Sequence, residues 1–135
     1  MSDDPVFLTV GDVLGLHVDQ IREFGGTEGL RDQGGLESAV AQASATYGGK
    51  YLHVGLFEMA AAYAFHIAEN HPFVDGNKRT ALNAVIVFLG LNGFDVVDDE
   101  GRLYDAMMDL ATGESSKGQM AVLLEQVSKP WRDDD

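Results

Sequence analysis

Residues 71–80 read His71-Pro72-Phe73-Val74-Asp75-Gly76-Asn77-Lys78-Arg79-Thr80, a base, a carboxylate, a turn glycine and two adjacent cations in one short stretch. An ordinary imidazole titrates near ~6.5, so His71 is suited to taking a proton from an attacking hydroxyl at neutral pH. Asp75 offers a carboxylate to Mg2+, which binds through one or two carboxylates together with substrate phosphates. Gly76 permits an otherwise strained backbone, so that the amides of 76–79 can curl into an anion-binding nest. Lys78 adds a point charge and Arg79 a planar fork matched to phosphate oxygens. Positioning, charge neutralisation and a base beside the nucleophile are what phosphoryl or nucleotidyl transfer demands. The stretch is not a Walker A loop, for it lacks G-x-x-x-x-G-K-[ST].

Each residue alone has a plainer reading. Asp75 could be a helix N-cap, His71 a pre-proline turn residue, Lys78 and Arg79 solvated cations, and Gly76-Asn77 a bare turn signal. The conjunction carries the functional reading.

The elements that must position this stretch are helices. Thr9 is placed to cap a first helix with Leu14, Val18 and Ile21 on one face, ended by Gly25-Gly26. Leu36, Ala39, Val40 and Ala43 repeat at helical spacing in a second, closed by Gly48-Gly49. From Leu56 to Ala68 nearly every position is apolar, so this helix should be buried on most sides. Pro72 forces His71 out of helical geometry and puts the break near Asn70. Ala81–Leu91 is again apolar and stops at Asn92-Gly93, with Phe94–Val97 a candidate short extended piece. Leu103, Met107 and Leu110 mark a further helix, and Ser116 with Gln119 makes a capping box before Met120, Leu123, Leu124 and Val127. The expectation is a single-domain all-α bundle over 1–135, of about six helices with at most one or two very short extended segments. The acidic ends, 1–5 and 130–135, are expected to fray. Residues 44–55 suit either a flap beside the site or a plain helix–helix connection. His17, His53 and His66 read as structural or surface histidines, and Met107, Met108 and Met120 as core filler.

Composition bounds the partners. A formal net charge of -13 repels nucleic-acid backbones and anionic membranes, and makes Lys78-Arg79 stand out. No stretch is long and apolar enough to span a bilayer, because Glu58, His66, Glu69 and Asn70 interrupt the best candidate. Without cysteine there is no disulfide or thiolate chemistry, and the cytoplasm is the expected compartment.

His-Pro-Phe-x-Asp-Gly-Asn-Lys-Arg-Thr-Ala-Leu-Asn at 71–83 resembles the signature H-x-F-x-[DE]-[AG]-N-x-R of the Fic/Doc superfamily, and Lys78 resembles its Doc branch. Phe24-Gly25-Gly26 through Gly29-Leu30-Arg31-Asp32, Leu56-Phe57-Glu58 and Ala111-Thr112-Gly113-Glu114 resemble other segments of that family. The resemblance implies roles for matching positions. His71 would be the general base and Asp75 the Mg2+ ligand. Gly76, Asn77, Lys78 and Arg79 would bind the phosphates of ATP. Typical Fic enzymes have glycine at the position of Lys78 and transfer AMP. Doc-like members have lysine, bind ATP the other way round and transfer the γ-phosphate to a threonine of elongation factor Tu, arresting translation. The chain thus resembles the toxin of a prokaryotic type II toxin–antitoxin pair. The alternatives are a Fic-type adenylyltransferase and a catalytically inert antitoxin-binding module. Many Fic proteins carry a self-inhibitory [S/T]-x-x-x-E-[G/N] helix, and no Ser or Thr here has Glu four residues later; Ser38 meets Gln42, Thr112 meets Ser116 and Ser115 meets Gln119. Inhibition is therefore expected in trans, from an antitoxin segment folding on this surface as an amphipathic helix.

Overall fold

The computed structural model describes residues 4–131, and the outermost parts of both expected tails lie outside them. The chain begins with α1 (Val10–Phe24). Its capping box pairs the Thr9 hydroxyl with the Asp12 N–H at 3.0 Å, while the Thr9 N–H donates to the Asp12 carboxylate at 2.8 Å. The buried stripe of α1 is Val13, His17 and Ile21, not Leu14, Val18 and Ile21. His17 thus lies on the buried face, between Val13 and Ile21.

Asp32 caps α2 (Gln33–Gln42), which buries Leu36, Ala39 and Val40. The helix stops well before Gly48-Gly49. That glycine pair instead turns a small antiparallel hairpin of β1 (Thr46–Tyr47) and β2 (Lys50–Tyr51), with Thr46 opposite Tyr51. Both glycines have positive φ, 61° and 81°, as the twist of a two-residue turn requires. The 44–55 segment thus contains a small hairpin whose turn is exposed.

α3 (Leu56–Asn70) is the central helix and packs on α2, α5, α6 and on α4 (Asn77–Leu91). Ala60, Ala61, Ala62 and Ala64 are fully buried, and their small side chains admit the neighbouring helices closely. Phe88 of α4 fills the space beside Tyr63, ring centroids 5.1 Å apart, and the Tyr63 hydroxyl accepts the Leu8 N–H at 2.9 Å. α5 (Arg102–Thr112) buries Leu103, Met107 and Leu110, and α6 (Lys117–Gln126) opens with the expected Ser116–Gln119 box. Met108 is exposed, unlike Met107 and Met120.

The extended piece after α4 is β3 (Phe94–Val96). It pairs with β4 (Ser128–Pro130), which the sequence did not suggest. Pro130 lies opposite Phe94, and the Trp131 N–H donates to the Gly93 carbonyl at 2.6 Å. This pairing reaches the first two positions of the 130–135 segment. Among the described residues, no helix is long and apolar enough to cross a membrane.

His53 and His66, separate in sequence, meet at Lys117. The lysine Nζ lies 3.3 Å from His53 Nε2 and 3.2 Å from His66 Nε2, so both nitrogens accept from the ammonium and both rings are neutral. Burial, then Lys117, then His53 push His66 from 6.5 down to about 4. Burial and Lys117 lower His53 as well. The unfolded chain takes up protons first as pH falls, so this contribution to stability is present above pH 6.5 and is lost towards about pH 4. Urea midpoints should fall through that window, and fall less in His66→Gln. Parallel curves for the two proteins would contradict the assignment.

Candidate active site

The 71–76 loop is shaped by what surrounds it. α3 ends in a left-handed residue, His71 at φ 49° and ψ 54°, whose N–H still donates to the Ile67 carbonyl. Among the described residues it is the one non-glycine with positive φ. Pro72 next directs the chain away from the helix axis. Its carbonyl accepts the N–H groups of Arg31 at 2.7 Å and Asp32 at 2.9 Å, and the Val74 N–H donates to Gly29 at 3.0 Å. The Arg31 side chain closes the end of α3, with Nε 2.8 Å from the His71 carbonyl and an Nη 3.1 Å from that of Asn70. A cation at these last carbonyls also complements the negative end of the helix dipole.

Phe73 points down into the core and is 1% exposed. Asn77 brackets it. The Asn77 Oδ1 accepts the Phe73 N–H and its Nδ2 donates to the Phe73 carbonyl, both at 2.9 Å, which fixes the orientation of the amide. The second Nδ2 hydrogen faces His71 Nε2 at 3.4 Å. The contact is long, and it leaves the imidazole at the exposed rim of the loop. Asn77→Ala strips two backbone groups of their partners in a buried place, and should cost about 2–4 kcal/mol of stability by urea unfolding. A loss under ~0.5 kcal/mol would mean that water replaces the amide.

Asp75 is held by its acceptors. Its Oδ2 takes the Thr27 N–H at 3.1 Å and its Oδ1 the Gly76 N–H at 2.9 Å. These two donors keep the carboxyl below its usual range and therefore ionised. The chain around Thr27 comes this close because residue 26 is glycine; a Cβ there would sit 2.7 Å from Asp75 Oδ2. Asp75 is not the N-cap of α4, for Gly76 holds that position, at φ 75°, with no side-chain cap. The exposed carboxylate has lone pairs to spare, a donor set that fits a hard cation shared with phosphate oxygens. Among the described residues no three His, Cys, Asp or Glu side chains converge on a metal-sized point.

The first turn of α4 carries Asn77, Lys78 and Arg79 with no acidic residue among them. Its first intrahelical bond is the Thr80 N–H to the Gly76 carbonyl, so the amides before it lie at the positive end of the helix. Arg79 is exposed but not free to wander. Its guanidinium carbon lies 4.2 Å from the Phe24 ring centroid and 5.7 Å from that of Tyr104. Two aromatic faces restrict the fork without consuming its N–H donors. Lys78 is half-buried beside it.

The six expected site residues, His71, Asp75, Gly76, Asn77, Lys78 and Arg79, fall in one loop and one helical turn. Asn77 differs from the expectation in detail, since its side chain is spent on Phe73 and His71 while only its backbone faces the helix start. Four supporting residues escaped sequence reasoning: His17, Arg31, Phe24 and Tyr104. For His17 a signal was present, because it shares the i, i+4, i+8 stripe with Val13 and Ile21. Phe24 and Arg31 lie in the 24–32 segment that resembles the family, which did not tell their roles, and for Tyr104 no signal was present, since it acts across a large sequence gap.

Comparison with known proteins finds a matching family model and similar sequences. The model of the Fic/DOC family matches residues 7–89, a span that covers α1, the bridging segment, the loop and most of α4. The chain is 35% identical over 116 residues to "Protein kinase doc" of Escherichia phage P1, covering 86% of this chain and 90% of that protein. It is 40% identical over 103 residues to "Toxin Doc" of Mycolicibacterium smegmatis, covering 75% of this chain and 79% of that one. The helical scaffold, the loop pinned between α3 and α4 and the length of these matches lead to one conclusion: the chain belongs to the Fic/DOC family.

Proposed function

We propose that this protein is the toxin of a prokaryotic type II toxin–antitoxin pair, and that it acts in the cytoplasm as an ATP-dependent protein kinase. It would transfer the γ-phosphate to a threonine hydroxyl of elongation factor Tu and so arrest translation. The observation that carries the reading is the arrangement of 71–79, where the exposed imidazole of His71, the ionised Asp75 and the open, cationic start of α4 adjoin one another. Likeness over most of the chain to proteins named as a kinase and a toxin supports it.

The chemistry follows from the residues. The His71 imidazole takes the proton of the threonine hydroxyl as the threonine oxygen bonds to the γ-phosphorus. The bond from that phosphorus to the β–γ bridging oxygen breaks, and ADP leaves with the electron pair. Arg79, steadied between Phe24 and Tyr104, grips the phosphate oxygens, while Lys78 and the first amides of α4 offset their charge. Asp75 is the residue that would hold Mg2+, which when bound neutralises phosphate charge. A cognate antitoxin inhibits in trans.

The reading is tested by treating purified elongation factor Tu with this protein and ATP–Mg2+, recovering the factor, and adding it to a translation extract depleted of its own. The treated factor should fail to support synthesis. Full support from treated factor would remove elongation factor Tu as the target.

A further inference from the structure

His17 has no part in the chemistry above, yet it is 4% exposed and packed directly beneath the loop. Its ring lies flat on Phe73, centroids 3.8 Å apart and planes 5° from parallel. Its Nε2 sits 2.8 Å from the Asp75 carbonyl oxygen. A carbonyl only accepts, so Nε2 carries the proton and donates. Hydropathy alone would place an aliphatic residue here; a ring with one aimed N–H is a more specific choice.

The consequence runs through one peptide unit. The Asp75 carbonyl and the Gly76 N–H belong to the same rigid trans plane, and they point in opposite directions. Tying the carbonyl down to His17 therefore turns the Gly76 N–H up, where it donates to Asp75 Oδ1 at 2.9 Å. Glycine at 76 leaves that plane free to choose its orientation, since its φ of 75° carries no Cβ penalty. The other carboxylate oxygen is fixed by the Thr27 N–H at 3.1 Å. We infer that His17 is a positioning residue that sets the 75–76 peptide plane and thereby the direction of the Asp75 carboxylate. This rests on the reading of the loop as a Mg2+-assisted phosphoryl-transfer site, but its first test does not.

Two variants separate the hydrogen bond from the packing. His17→Phe keeps a ring against Phe73 and loses the donor. His17→Gln gives up the stack and keeps an N–H near the Nε2 position. Amide hydrogen exchange at Gly76 and Thr27 should quicken in His17→Phe, while amides of the α3 core such as Ile67 stay protected, and His17→Gln should resemble the wild type. In the transfer reaction, the Mg2+ concentration for half-maximal rate should rise on the order of 10-fold or more in His17→Phe, with kcat at saturating Mg2+ changed far less, and return in His17→Gln. Unchanged exchange at Gly76 and Thr27 in folded His17→Phe would overturn the inference, as would His17→Gln behaving like His17→Phe. Should His17→Phe fail to fold, the wild-type ring decides, read by nitrogen NMR: a proton on Nε2 supports the tether and a proton on Nδ1 alone refutes it. Absence of any phosphoryl transfer in the wild type would defeat the proposed function, while the exchange result would still judge His17.

Discussion

Replacing His71 with alanine is expected to lower the phosphoryl-transfer rate by on the order of 10^2 to 10^4 and to abolish growth arrest on expression. The side chain is exposed at the loop rim and its contact with Asn77 is long, 3.4 Å, so little packing is lost with it. What alanine does disturb is the backbone, because residue 71 is left-handed at φ 49°, a conformation that histidine and asparagine enter more readily than alanine. Asparagine tolerates that conformation better and also lacks a base in the required place. His71→Asn should therefore be as inactive as His71→Ala while melting closer to the wild type. Equal growth arrest from wild type and both variants would show that the loop serves only to bind a partner.

The second large effect concerns Lys78. With glycine in its place, transfer of the γ-phosphate should fall on the order of 10^2-fold, the scale of losing one charged stabiliser of a developing anion. Transfer of AMP should appear in its stead if the lysine sets the direction in which the nucleotide lies. The scaffold should not change, for Lys78 is only half-buried and the turn it occupies is held by Asn77 and by the Thr80 N–H bond. Glycine near a helix start costs at most ~1 kcal/mol. A variant that loses γ-transfer without gaining AMP transfer would reduce Lys78 to a simple counter-charge.

Local rules made much of this molecule legible. The end of α3 at Asn70 follows from Pro72, the cap at Thr9 from its residue type, and the box at Ser116 from residues three positions apart. The proximity of His71, Asp75 and Lys78-Arg79 was guaranteed by adjacency in sequence, but their orientation was not. It comes from Arg31, Gly26-Thr27 and His17, which reach the loop from α1 and the segment after it. No periodicity reports a contact of that kind. The same limit hid β4, whose partner β3 lies far back in the chain, and it hid the meeting of His53, His66 and Lys117. Gly48-Gly49 was misread for a different reason. A glycine pair ends a helix or turns a hairpin with equal ease, and only the positive φ of both residues tells which.

Kinase and adenylyltransferase chemistry differ in which phosphorus is attacked. Purified protein incubated with elongation factor Tu, Mg2+ and ATP labelled at either the γ or the α position gives the answer in one comparison. Label from the γ position should appear on a threonine of the factor, and label from the α position should not. Label arriving only from the α position would contradict the kinase reading and make this family member an adenylyltransferase.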